Sequence, residues 1–110
     1  MNSLEGLSTR IVSHISVKDE KFGVDPATIT LIISIIINLL RLWWSVSSKK
    51  SAARQLKKPS LLFKLLLKRE IRKRVKSQNR QCVYGAFMDV APSVSEIELV
   101  NITKEIESRK

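Results

Sequence analysis

Hydrophobic residues recur with helical spacing in several segments of this chain. Apolar positions three and four residues apart run from Leu4 to Ile15, and they predict an amphipathic helix over residues 3–17. A similar pattern follows Ser93 and Glu96, which have the spacing of an N-terminal capping box, so a further amphipathic helix is expected there. Helix is therefore the predicted structure near both ends of the chain.

The longest apolar run, ATITLIISIIINLLRLWW, occupies residues 27–44. Asp25 and Pro26 suit a helix start, because aspartate caps free amide groups and proline lacks only an N–H that the first turn does not need. The helix should extend to about Val46 and measure roughly 30 Å. At about 100° per residue, its polar residues share one arc of roughly 80°, a polar seam made of Thr30, Ser34, Asn38, Arg41 and Ser45.

A helix that is apolar over most of its circumference must be surrounded by lipid or by other protein. In a bilayer, the polar seam would form a helix–helix interface, and Trp43 and Trp44 would be anchors at the membrane–water boundary. In a protein assembly, the same seam would face the wetter side. The charge-free run from Ala27 to Leu40 has only 14 residues, a length that buried and re-entrant segments share, so both environments stay open.

Positive charge is concentrated in one block that follows this helix. The chain has 20 Lys and Arg against 10 Asp and Glu, a net charge of +10, and residues 47–80 hold 13 of the basic residues with one acid, Glu70. Residues 47–59 are predicted to be a polar connection, and residues 60–78 a second helix with an apolar first half. The second half is predicted to contact an anionic surface through Lys68, Arg69, Arg72, Lys73, Arg74 and Lys76.

The anionic partner of this block is expected to carry phosphate groups, either of lipid or of nucleic acid. The basic stretch from Lys68 to Lys76 contains no aromatic side chain that could stack on bases, so nucleic acid would be bound by phosphate contacts without sequence preference. If the apolar helix spans a bilayer, the positive-inside bias places residues 47–110 on the cytoplasmic or interior side.

Together these patterns predict a mainly α-helical protein, with three or four helices in an extended arrangement and no compact globular core. Within its C-terminal part, residues 80–92 are interpreted as a short strand or an extended arm. Four segments are distinguished in chain order: an N-terminal amphipathic segment, the hydrophobic helix, a basic linker with the basic helix, and a C-terminal arm, at residues 1–24, 25–46, 47–80 and 81–110.

The sequence contains no recognisable catalytic or metal-binding motif. Cys82 is the single cysteine, which excludes an internal disulfide and a cysteine-based zinc site. His14 is the single histidine, and no second ligand stands at a suitable spacing from it. We therefore expect a protein that is not an enzyme and that binds no cofactor or metal.

The layout of a hydrophobic segment followed by a basic stretch, in about a hundred residues, resembles the small phage-encoded membrane proteins of the holin type. It is also similar to small structural proteins of virions. The chain departs from holins by continuing some thirty residues beyond its basic block. The resemblance covers architecture alone and transfers no site residue.

The expected function is that of a structural or membrane-anchoring component of a larger assembly such as a virion, in which the basic block contacts an anionic surface. One alternative is a holin-like protein that permeabilises membranes, and another is a structural subunit that contacts nucleic acid. The expected partners are other protein subunits, copies of the same chain, and the phosphates of anionic lipid or nucleic acid. The expected location is a membrane or the inside of a viral particle.

Overall fold

Helices account for nearly all of the part of the chain that the structure, a computed structural model, describes: residues 2–18 and 25–109. No strand occurs in these two ranges. A short 3-10 helix, Ala91–Ser93, precedes the last α-helix. The six α-helices are α1 (Ser3–Lys18), α2 (Pro26–Val46), α3 (Lys49–Lys57), α4 (Leu61–Arg74), α5 (Ser77–Val90) and α6 (Glu96–Ser108).

Capping side chains fix where three consecutive helices begin. The side chain of Asp25 accepts a hydrogen bond from the backbone N–H of Thr28 at 2.8 Å, which confirms the predicted start of α2. Ser48 caps α3 and Ser60 caps α4 in the same way. Each capping residue has extended backbone angles, so the chain leaves one helical axis and enters another at these positions.

The core lies where α2 is covered by its neighbours. One face of α2 packs against α1, α3 and α4, and α1 also packs against α5 and α6. The apolar stripe of α1, from Leu4 to Ile15, is buried as its periodicity predicted. The buried face of α2 consists of residues three and four positions apart, Ile32, Ile35, Ile36, Leu39, Leu40 and Trp43.

The prediction of an extended arrangement without a compact core was wrong. The radius of gyration of the Cα atoms is 12.9 Å, and a compact chain of this length is expected at about 13 Å. The principal dimensions are 37 × 30 × 25 Å. The physical reason is that each amphipathic helix has an apolar stripe that it cannot cover by itself, and grouping six of them buries all these stripes in one core.

The prediction of three or four helices was also wrong, because two helices lie in segments that were interpreted otherwise. The predicted polar connection contains α3, which buries only Ala52 and Leu56, too few apolar positions for a visible periodicity. The predicted strand or arm is α5, whose Val83, Ala86 and Phe87 face the core. Residues 19–24, between α1 and α2, lie outside the described residues.

Two helix ends differ from their predicted positions. The predicted helix over residues 60–78 is divided at Val75, which has extended backbone angles between α4 and α5. The capping box of α6 is formed by Ser95 and Glu98, two residues later than the predicted pair. In the predicted box, Ser93 instead donates its hydroxyl to the carbonyl of Val90 in the preceding turn, at 2.6 Å.

Candidate site for an anionic partner

The outer face of α4 combines exposed leucines with exposed cations. Leu61, Leu62 and Leu65 in the first half of the helix are 76%, 55% and 55% exposed. The side chains that continue this face toward the C-terminus, at intervals of three and four residues, are all exposed: Lys68, Arg69, Arg72 and Lys73. We call these seven residues the α4 outer face.

The buried side of α4 determines which residues of the helix point outward. Phe63, Leu67 and Ile71 are buried in the core at four-residue spacing. Glu70 is buried beside them, and its carboxylate lies 3.5 Å from Nζ of Lys73. Because the apolar stripe of α4 must contact α2 and α5, the leucines and cations of the other side must point outward.

The helix α4 has a surplus of positive charge, because it contains six Lys and Arg against one acid, Glu70. Four of the eight carboxylates in the described ranges form ion pairs with residues outside this helix. Of the six predicted contact residues, Lys73 alone has a carboxylate partner among the described residues. Arg74 and Lys76 are exposed at the C-terminal end of α4 and just beyond it. Ion pairs elsewhere in the described ranges include Arg10–Glu98 at 2.8 Å, His14–Asp89 at 3.1 Å, Lys49–Glu107 at 3.3 Å and Lys57–Glu96 at 3.5 Å.

A groove between α4 and α5 brings further side chains to the same region. Its volume is about 370 Å³. The Nζ atom of Lys68 lies 4.9 Å from the centre of the Tyr84 ring, within the range of a cation–π contact. Arg80 donates from Nε to the carbonyl of Val75 at 2.9 Å and from Nη2 to the carbonyl of Arg72 at 3.2 Å. The lining residues are Lys68, Ile71, Arg72, Arg80, Gln81 and Tyr84.

Sequence reasoning did not find Arg80 and Tyr84, because α5 was not recognised as a helix. Read as a strand or an arm, the segment had no fixed relation to the basic helix. Their four-residue separation would have placed both on one helical face, had a helix been assigned there. The structure thus places an aromatic ring beside the stretch from Lys68 to Lys76, which itself contains no aromatic residue.

The polar seam of α2 lies on the side of the helix that faces away from the core. Thr30, Arg41 and Ser45 are exposed, and Ser34 and Asn38 are half-buried. The hydroxyls of Ser34 and Ser45 donate to carbonyls within α2 itself. Arg41 donates to the carbonyls of Ile106 and Arg109, at the C-terminal end of α6. The seam therefore gives α2 one solvent-facing side and one contact with α6.

The two tryptophans of α2 connect helices within the fold. Trp43 is only 8% exposed, and its Nε1 donates to the hydroxyl of Ser51 at 3.1 Å. Its ring packs edge-on against Phe63, with 5.5 Å between ring centres. Trp44 is half-buried, and Nζ of Lys49 lies 5.5 Å from the centre of its ring. Both rings contact side chains of α3 or α4.

By length and composition alone, α2 is able to cross a bilayer, a property that it shares with core helices of soluble proteins. Of its apolar 18-residue window, 33% is buried within the fold.

No group of three His, Cys, Asp or Glu side chains that could hold a metal ion occurs among the described residues. Cys82 is a half-buried free thiol.

Comparison with known proteins assigns no family to the chain. The sequence matches no protein-family model, no curated protein and no solved structure. Its function is therefore inferred from the geometry and charge of α4 and α5.

Proposed function

We propose that this protein is a non-enzymatic structural component of a larger assembly, such as a virion. In this proposal, the α4 outer face attaches the assembly to an anionic bilayer. The observation that carries the proposal is the continuity of Leu61, Leu62 and Leu65 with the cations of the same helical face. Leucines that enter the headgroup region bury apolar surface, and the adjacent cations meet lipid phosphates.

The expected binding free energies favour reversible attachment to the bilayer. Burying a fully exposed leucine is worth about 1.5–3 kcal/mol, and these three leucines have between 55% and 76% of their surface available. Each Lys or Arg close to an anionic membrane adds about 1 kcal/mol, and this part is weakened by salt. The combined attraction suits a peripheral protein that leaves its own core intact.

The two alternative functions make less use of the α4 outer face. Nucleic acid would engage the cations but would leave the exposed leucines in water. A holin-like protein would have to insert α2, which would remove Ile32, Ile36 and Leu39 from their contacts with α1, α3 and α4. In our proposal α2 is the central core helix, and the attachment surface is α4.

Flotation with vesicles tests the proposal. The wild-type protein should float with phosphatidylserine-containing vesicles and not with pure phosphatidylcholine vesicles, and binding should fall as salt rises. Replacing Leu61, Leu62 and Leu65 with serine should lower binding at every salt concentration. A second variant replaces all six predicted contact residues with glutamine: Lys68, Arg69, Arg72, Lys73, Arg74 and Lys76. Its flotation should be weak and nearly independent of salt.

A matched control is available on another helix, α6, where Ile97 and Val100 are exposed apolar residues that do not belong to the α4 outer face. Their replacement with serine should leave vesicle binding unchanged. The proposal fails if wild-type protein ignores anionic vesicles but binds duplex DNA, with DNA affinity unaffected by the leucine substitutions. That result would select the nucleic-acid-contacting subunit instead.

A further inference from the structure

We infer that the groove between α4 and α5 is a binding site for one phosphomonoester group. The inference extends the proposed function and rests on it in one respect, the source of the phosphate. If α4 lies on a bilayer, the phosphate belongs to a lipid headgroup. A phosphomonoester headgroup and a free phosphate ester share the same chemistry: a compact group with a charge of about −1.5 to −2 and three acceptor oxygens.

Two pairs of side chains face each other across this groove. Lys68 and Arg72 are four residues apart on α4, and Arg80 and Tyr84 are four residues apart on α5, so each pair lies on one helical face. Three cations and one phenol therefore converge on a cavity of about 370 Å³. This volume lies near the lower end of the range for small-molecule sites, about 300–1,000 Å³, and suits a phosphate with a small substituent.

Contacts within the protein already hold two of these cations in place. The guanidinium of Arg80 is fixed by two backbone carbonyls, those of Val75 and Arg72, and its Nη1 donates to no group among the described residues. Lys68 is held over the ring of Tyr84. Because these side chains are ordered before a ligand arrives, less conformational entropy is lost when an anion binds.

The charge of the residues that line the groove favours one class of ligand. None of its six residues is acidic, so a bound anion meets three positive charges and no carboxylate. Like charges held close together raise the free energy of the folded protein unless an anion compensates them. A phosphomonoester carries a charge of about −1.5 to −2 at neutral pH, whereas a carboxylate or a phosphodiester carries one. The monoester is therefore favoured over both.

Vesicles of equal surface potential separate this preference from general attraction to negative charge. Phosphatidic acid exposes a phosphomonoester, and phosphatidylserine exposes a phosphodiester and a carboxylate. At matched zeta potential, wild-type protein should bind phosphatidic acid vesicles about tenfold more tightly, the change expected for one hydrogen bond to a charged group. Equal binding to the two lipids would overturn the site and leave the bilayer attachment intact.

Neighbouring residues on α4 provide matched variants. Lys68→Gln and Arg69→Gln remove the same charge from the same helix, but only Lys68 lines the groove. Lys68→Gln should abolish the preference for phosphatidic acid, whereas Arg69→Gln should weaken binding to both lipids alike and keep their ratio. Tyr84→Phe, which removes only a hydroxyl, should lower the ratio without affecting folding. Identical ratios for the Lys68 and Arg69 variants would contradict the inference.

A soluble probe separates the two phosphate sources. Glycerol 3-phosphate should shift amide resonances of residues 68–84 in the ¹⁵N–¹H spectrum of the wild type, and Lys68→Gln should remove these shifts. If such shifts occur while no vesicle is bound, the groove is supported with a free phosphate ester as its ligand, and the bilayer attachment fails. Absence of the shifts, like equal binding to the two lipids, overturns the groove as a phosphate site.

Discussion

The carboxylate of Glu105 accepts a hydrogen bond from the backbone N–H of Ser3 at 2.8 Å, and so joins residues 102 positions apart. Its second oxygen accepts from the N–H of Leu4 at 3.0 Å. Both N–H groups belong to the first turn of α1, which has no intrahelical acceptors for them. The negative charge also lies at the positive end of the α1 dipole. The last helix of the chain therefore caps the first.

Removal of this cap should destabilise the protein. Glu105→Ala should lower the free energy of unfolding by about 1–2 kcal/mol, the usual cost of losing an N-terminal cap. Glu105→Gln, which keeps an acceptor oxygen and loses the charge, should lie between Glu105→Ala and the wild type. Urea denaturation followed by the fluorescence of Trp43 and Trp44 measures these changes.

The control for this prediction is Glu107, two residues along the same helix. Its carboxylate pairs with Lys49 at the surface, at 3.3 Å. Such pairs contribute about 0–1 kcal/mol, so Glu107→Ala should have a smaller effect than Glu105→Ala. Equal losses of stability would show that Glu105 acts only as another surface charge.

Adjacent residues of α4 should differ sharply in their contribution to stability. Phe63 is only 2% exposed and packs against Trp43, whereas Leu62 is 55% exposed. We expect Phe63→Ala to cost about 3–5 kcal/mol in unfolding free energy. Leu62→Ala should stay within about 0.5 kcal/mol, as is usual for surface positions. A large loss for Leu62→Ala in water would mean that this leucine is covered and unavailable to a bilayer.

Substitutions in α2 test which side of that helix is covered. Ile35 is fully buried, and Asn38 lies on the half-exposed polar seam. Ile35→Ala should lower the free energy of unfolding by about 2–4 kcal/mol, whereas Asn38→Ala should change it by about 0.5 kcal/mol or less. The reverse order of effects, measured by urea denaturation, would indicate that the seam, and not the apolar face, is the packed surface.

Gly85 offers a test of the helical conformation of α5. It lies inside the helix, and a Cβ atom added there would meet no neighbouring atom within 4 Å. Gly85→Ala should raise the free energy of unfolding by about 0.5–1 kcal/mol, because alanine loses less conformational freedom in a helix than glycine does. Thermal denaturation measures the gain.

The neighbouring Ala86 supplies the opposite substitution for comparison. Ala86 is buried in the same helix, so Ala86→Gly should destabilise the protein by about 1 kcal/mol or more. A Gly85→Ala variant that is less stable than the wild type would be inconsistent with a helix at this position.

Where apolar spacing was regular, the sequence predicted the helices closely. The stripe from Leu4 to Ile15 placed α1 within one residue of its observed end, and Asp25-Pro26 placed the start of α2. The prediction failed for α3 and α5, which bury only two and three of their own side chains, respectively. Such short helices show too little apolar periodicity to be recognised, and in proteins most of their stability comes from tertiary packing.

The candidate site was predicted in part. The cations from Lys68 to Lys76 were selected from charge density alone, and most of them are exposed on α4 or at its end, without a carboxylate partner among the described residues. The leucines beside them were predicted only as the apolar first half of the same helix. Sequence spacing could not show that Phe63 and Leu67 are covered while Leu62 and Leu65 remain outside. That distinction depends on the neighbours that α2 and α5 supply.

Local spacing and charge determined two properties of this protein: the helical character of its apolar segments and the position of its basic block. Both follow from residues within a few positions of one another, since a helix repeats every 3.6 residues. Tertiary structure alone decided that the helices form one compact core, that α2 turns its polar seam outward, and that Tyr84 and Arg80 stand beside Lys68 and Arg72. These outcomes required apolar stripes from distant parts of the chain to cover one another, because burial depends on partners that local periodicity does not specify.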